Sequence, residues 1–282
     1  MVKVDKRPYM GYAVPMRLWK KIGLGIIFIF AVIGIVVVGV FIAIKFHLTN
    51  TPGIIDTENR YLQATVKTAW KQTEEWKTLK IAIISDKDVI NRAAHEAQIE
   101  PRLIVAQLVV EQMRLFNSER ETFKQIFQPL RILGVQSQFS WGVMGLKQDT
   151  AIAIEQHIKD NASSYYLGPL YEHVLDATST DPNTERFNRL TDAHNHFYSY
   201  LYAGIFLKQI MVQWKNAGFD ISNRPEILST LFNIGFQHST PNADPKVGGA
   251  EINIGGEKYI FGELAYVFYN SDELTAEFPR NK

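Results

Sequence analysis

With 282 residues, 46% of them apolar, the chain can bury one sizeable core, or two small ones, and still carry accessory segments. It has no cysteine, which excludes a disulfide framework and any thiolate metal site without choosing a compartment. The formal charge is +1, unevenly spread: six bases (Lys3, Lys6, Arg7, Arg17, Lys20, Lys21) oppose Asp5 alone before residue 22, a balance of +5, and residues 22–44 are uncharged, so the chain from Lys45 onward carries −4. A protein that displaces counterions from nucleic acid needs bases on its functional domain, so nucleic acid is excluded as the partner.

Residues 22–44 form an uncharged run of 23 residues, about 35 Å as a helix and enough to cross a hydrocarbon core of roughly 30 Å. The run is too long for a signal peptide and leads into Lys45 without a small-residue cleavage site, so it is expected to stay as a transmembrane anchor. The basic tail, residues 1–21, is then expected on the cytoplasmic side, and the mildly acidic remainder outside. The expected organisation is a tail over 1–21, an anchor over 22–44, a linker and membrane-proximal helix over 45–85, and one domain over 86–282.

Thr49 to Gly53 reads as a linker, and Asp56 can cap a helix to about Lys80 that places Leu62, Val66, Ala69, Trp76 and Leu79 near one face. Asp86 or Asp88 starts a second helix, to about Gln98. Pro101 opens a third, to Phe116, with Ile104, Leu108, Glu111 and Leu115 on one stripe. Further helices are expected over about 120–127 and 142–158, followed by loops over 160–188, a long helix over 190–217 stopped by Gly218, and another over 224–235. Residues 250–254 and 257–261 flank Gly255-Gly256 as a hairpin, and a short helix follows over 262–269. The class is therefore mainly α with a small β-hairpin, preceded by one transmembrane helix.

Glu111 ends the apolar run Leu103 to Val110, which Gln107 alone interrupts. Desolvation penalises a carboxylate there, so the side chain is a candidate proton donor. The alternative is a structural ion pair with Arg114, three residues on; with a guanidinium so placed, the carboxyl stays ionised.

Three segments stand in order: Val110-Glu111-Gln112, then Ser140 to Ala151 with Gly142, Met144 and Gly145, then Leu231-Phe232-Asn233-Ile234-Gly235. Together they resemble the lysozyme-like domain of soluble-lytic-transglycosylase type, over roughly 88–269. That family carries a catalytic Glu on a buried helix, a glycine-rich "GLMQ" segment leading to Thr-Ala, and an "YNxG" segment. The resemblance implies that Glu111 is the acid/base and that Gly142, Met144, Gly145, Phe232, Asn233 and Gly235 shape the sugar site. It also implies peptidoglycan glycan strands as substrate, attack by the sugar's own C6 hydroxyl, a 1,6-anhydro-muramyl product, and neither metal nor organic cofactor. This chain departs from the pattern at Gln112 for Ser, Phe232 for Tyr and Leu146-Lys147 for "MQ", and by an insertion over 114–127.

The glycines suit close approach of a polysaccharide, or else a tight turn or close helix packing, and Asn233 suits a hydrogen bond to a sugar or to Glu111, or else a helix-end cap. Glu119, Glu121 and Asp149 keep open a water-using muramidase of the same fold, normally a two-carboxylate mechanism. A third reading is a non-catalytic member that binds peptidoglycan or serves an envelope machine. His194 and His196, on the helix expected there, would point about 200° apart and could not share an ion. Gly248-Gly249 and Gly255-Gly256 lack the Lys-Ser/Thr of a phosphate loop and are expected as hairpin turns. Gly39 and Ala43 sit one turn apart in the anchor, which permits helix pairing.

Overall fold

In the computed structural model, the described residues are 68–116 and 140–280, with Gly34 alone before them. The expected anchor, the linker, the start of the helix expected from Asp56 and the helix expected over 120–127 fall outside these, as do Glu119 and Glu121. Among the described residues no helix is long and apolar enough to cross a membrane. Every helix and strand from Glu74 onward belongs to the second of two units, Pro52–Lys282.

The helical expectation holds at the level of class: eight α-helices and two small antiparallel hairpins make up the regular structure of the described residues. A 3₁₀ turn, Ala69–Gln72, precedes α1 (Glu74–Ser85). Thr73 caps α1, its hydroxyl accepting from Trp76 N at 3.2 Å, with Glu74 and Glu75 complementing the helix dipole. The expected helix to Lys80 is thus restarted at Thr73 and runs five residues further. It buries Trp76, Leu79 and Ile83, while Trp70 in the preceding turn, not singled out by periodicity, is fully buried.

Helix α2 (Lys87–Ala97) ends on Gln98 in the left-handed region, φ 51°. Pro101 then opens α3 (Pro101–Phe116), with the bounds read from sequence. The single stripe expected for α3 is too narrow, because every residue from Arg102 to Glu111 is buried, with Met113 and Leu115. It packs against α1, α2 and three later helices and is the central rod of the domain.

Gly142 to Lys147 was expected as the start of a helix and instead forms a hairpin. Strands β1 (Ser140–Trp141) and β2 (Leu146–Lys147) pair antiparallel, Trp141 opposite Leu146. The turn between them uses Gly142 and Gly145 at φ +63° and +61°. Helix α4 (Gln148–Lys159) follows. Within the stretch expected as loops lies α5 (Pro182–Thr191), started by Pro182 and by Asp181 Oδ1, which accepts from Asn183 N and Thr184 N at 3.1 Å.

The expected long helix over 190–217 is broken. Asp192 Oδ1 accepts from His194 N at 2.8 Å and Asn195 N at 3.1 Å, a local turn that competes with the helix, and α6 (Phe197–Asn216) begins only after it. Helix α7 (Pro225–Ile234), hairpin β3 (Glu251–Ile254) with β4 (Glu257–Ile260), and α8 (Phe261–Asn270) match the reading closely. Gly255-Gly256 is the hairpin turn, whereas Gly248-Gly249 is not. A Cβ on Gly249 would stand 2.7 Å from Phe261 Cβ and 3.0 Å from Asn233 Oδ1, so that segment is packed between α7 and α8.

Arg102, in the first turn of α3, is fully buried. Its Nε donates to Tyr269 O at 2.9 Å, Nη1 to Glu273 O and Phe278 O at 3.0 Å, and Nη2 to Phe268 O and Ser271 O at 3.1 and 3.0 Å. One guanidinium thus joins two carbonyls of the last turn of α8, Phe268 and Tyr269, to three of the segment that follows it.

Candidate functional site

Glu111 lies in the last turns of α3 and is 2% exposed. Arg114, one turn on, clasps it with two parallel N–H groups: Nε donates to Oε2 at 3.1 Å, and Nη2 to Oε1 in a shorter contact. The structure therefore brings out the ion pair that the sequence left as an alternative. The buried carboxylate thus faces a cation, and not apolar side chains alone.

The opposite side of Glu111 is covered by the β1–β2 turn. A Cβ at Gly145 would fall 1.8 Å from Glu111 Oε1 and 2.4 Å from its Cδ, so only glycine fits beside this carboxylate. The turn is tied to α3 through Gln112, whose Nε2 donates to Val143 O at 2.5 Å. Gln112, a departure from the family pattern, thus works as a tether between helix and turn. Gly142 serves differently: its absent side chain makes room for the Leu190 carbonyl, 1.9 Å from an ideal Cβ. Met144 is fully buried in the core, and neither it nor Gly142 reaches the cavity beside Glu111.

The third segment approaches from α7. Asn233 Oδ1 accepts from Ala250 N at 2.9 Å, so its amide braces the 248–250 strand entry and does not cap its own helix. With Oδ1 engaged, Nδ2 is the end of the amide left to donate. Phe232 is 8% exposed and packs its ring 5.2 Å from that of Phe206 in α6. Gly235 follows at φ +89° with open space where a Cβ would be.

These residues enclose a cavity of about 170 Å³, lined by Glu111, Arg114, Gly145, Phe232, Asn233 and Gly235 together with Leu146, Lys147, Thr150, Phe206 and Ile234. Pockets for drug-sized ligands run from roughly 300 Å³ upward, so this one takes a single ring or branch of a larger molecule. Five of the seven residues singled out from sequence meet here. Glu111 is the one acid of the lining among the described residues, and Asp149 is exposed outside it. Sequence reasoning missed Phe206, which arrives from an all-apolar stretch of α6 and gives no local signal. It recorded Lys147 only as a departure, although an exposed base within the glycine-rich segment was signal enough.

The His194-Asn195-His196 sequence is not helical, so the angular argument against a shared ion does not apply. His196 Nδ1 instead contacts Asp86 Oδ2 at 2.5 Å, and Tyr200 Oη donates to the same oxygen at 2.6 Å, joining the start of α2 to that of α6. Burial and the Asp86 carboxylate push the Tyr200 phenol up, so it remains a donor. Among the described residues no group of three His, Asp or Glu side chains is placed to hold a metal ion.

Comparison of this chain with protein-family models, with curated protein sequences and with solved structures finds no match.

Proposed function

We propose that this chain is a membrane-anchored peptidoglycan lytic transglycosylase with a lysozyme-like domain, held outside the membrane by residues 22–44 and acting on glycan strands. One observation carries the reading: the three sequence segments, far apart in the chain, supply Glu111, Gly145, Asn233 and Gly235 to one cavity. A single carboxyl group suffices when the substrate provides the nucleophile. The Glu111 proton goes to the glycosidic oxygen as the C1–O bond of the muramyl residue breaks. The C6 hydroxyl of that ring then closes on C1, and its proton returns to Glu111. No water is consumed, and the ends formed are a 1,6-anhydro-muramyl residue and a free 4-hydroxyl.

The reading requires Arg114 to release Glu111 before the first step, because the guanidinium occupies both of the carboxyl oxygens that must serve the glycosidic bond. That same ion pair favours a second reading, a non-catalytic glycan-binding member of the fold in which Glu111 is structural. Mass spectrometry of peptidoglycan digested by wild type and by Glu111→Gln separates them. Anhydro ends from wild type and none from the variant are expected. Equal yields from both proteins, or no new ends from either, sink the catalytic reading, and reducing ends alone replace the lyase by a hydrolase.

A further inference from the structure

Among the described residues that line it, the cavity beside Glu111 has two bases, Arg114 and Lys147, against one acid. Arg114 is matched by Glu111, but Lys147, in β2 on the same lining, is exposed, and among the described residues no acid pairs with it. Asp149, the acid nearest in sequence, lies outside the lining. Thr150 and Asn233 add a hydroxyl and an amide to the wall. Such a set of donors around one spare ammonium suits a carboxylate. Resting on the function proposed above, we infer that Lys147 is a specificity-determining residue that reads a carboxylate next to the scissile bond.

The substrate offers that chemistry from two sources. On a strand stripped of its peptides, the lactyl group of the muramyl ring ends in a free carboxylate, and it sits on the same ring whose C1–O bond Glu111 addresses. On a strand that keeps its stems, the lactyl carboxyl is an uncharged amide, and the nearest carboxylate is farther out, on the stem's glutamyl residue. A cavity with room for one ring beside Glu111 favours the first source. The reaction that supplies such a substrate is hydrolysis of the lactyl amide, freeing the carboxyl and removing the stem.

The test uses the full chain in detergent and four purified strands: peptide-free, peptide-free with the lactyl carboxyl converted to its primary amide, stem-bearing with the glutamyl carboxyl free, and stem-bearing with it amidated. Both kcat/KM for chain cleavage and sedimentation with the insoluble strands are read. Wild type is expected to favour the peptide-free carboxylate strand over its amide about tenfold, the weight of one charge-assisted contact, mainly through KM. The preference shrinks with added salt, as for any exposed charge. Lys147→Gln, an exposed change that preserves the fold, brings the ratio close to one, and Lys147→Arg keeps it.

An unchanged ratio in Lys147→Gln, or no preference in wild type, overturns the inference. A preference confined to the stem-bearing pair overturns the lactyl assignment and moves the carboxylate to the stem. If no strand is cleaved, the catalytic reading fails by itself, and the sedimentation ratios of wild type and Lys147→Gln still decide whether Lys147 reads a carboxylate.

Discussion

Replacing Gly145 by alanine adds one methyl group at the point where the β1–β2 turn touches Glu111. The new Cβ lies 1.8 Å from Oε1, 2.4 Å from Cδ and 2.8 Å from Cγ, on a backbone at φ +61°. The left-handed conformation costs a non-glycine residue about 1–2 kcal/mol, and overpacking at a tight site adds about 1–3 kcal/mol. Gly145→Ala is therefore expected to lose about 2–5 kcal/mol of stability, or to push the Glu111 carboxylate off its position. Displacement of a reacting group by about 1 Å costs on the order of a hundredfold in rate. Gly235→Ala is the matched control, since its φ is +89° but nothing lies within 4 Å of its added Cβ. Urea unfolding followed by circular dichroism, with strand cleavage on the same preparations, reads both effects. The reasoning is refuted if the two variants are equally stable and Gly145→Ala cleaves strands as fast as wild type.

Arg114→Met leaves a buried carboxylate without its cation and is expected to cost about 2–3 kcal/mol, below the full buried-pair value because the Arg114 side chain is 17% exposed. Combining it with Glu111→Gln should recover about 1–3 kcal/mol in a double-mutant cycle by urea titration, and strict additivity would show that the pair is not coupled. Arg102→Met takes a donor from five carbonyls at the end of the domain, of which Phe268 O keeps Ser271, so a loss of about 3–5 kcal/mol is expected, with faster proteolysis after α8. Glu185 accepts from the backbone N–H groups of Ser179 and Thr178, which hold its carboxyl at about 2, below the ordinary 4.5. Its folded value lies below its unfolded one, so its contribution is complete above about pH 4.5 and fades as pH falls toward 2. Glu185→Gln should remove that part of the acid dependence of the melting temperature, and an unaltered acid profile would count against the contact.

Local chemistry made some elements legible from the chain alone. Pro101 fixed the start of α3, Gly255-Gly256 fixed the β3–β4 turn, and Gly218 fixed the end of α6. Misreadings arose where a short polar signal was outweighed by its surroundings. Asp181-Pro182 starts a helix inside a stretch whose composition reads as loop, and Asp192 breaks an apolar periodicity that otherwise runs through it. Gly142 and Gly145 read equally well as a helix entry or a turn until their positive φ angles are known. At the site, Glu111, Asn233 and Gly235 were found from order and residue type. Phe206 and the bracing of Asn233 on Ala250 depend on contacts between distant segments and leave no trace in local pattern.

The Arg102 clasp also carries an expectation for the order of events during folding. The residue sits on the helix that carries Glu111, yet its acceptors come from residues 166–176 positions further along the chain. Until those residues are in place, the guanidinium has no carbonyls to meet, and burying it is costly. Closing so long a loop comes late, because its entropy cost precedes any contact that offsets it. The helix that carries Glu111 is therefore expected to settle only once the residues after α8 are in place.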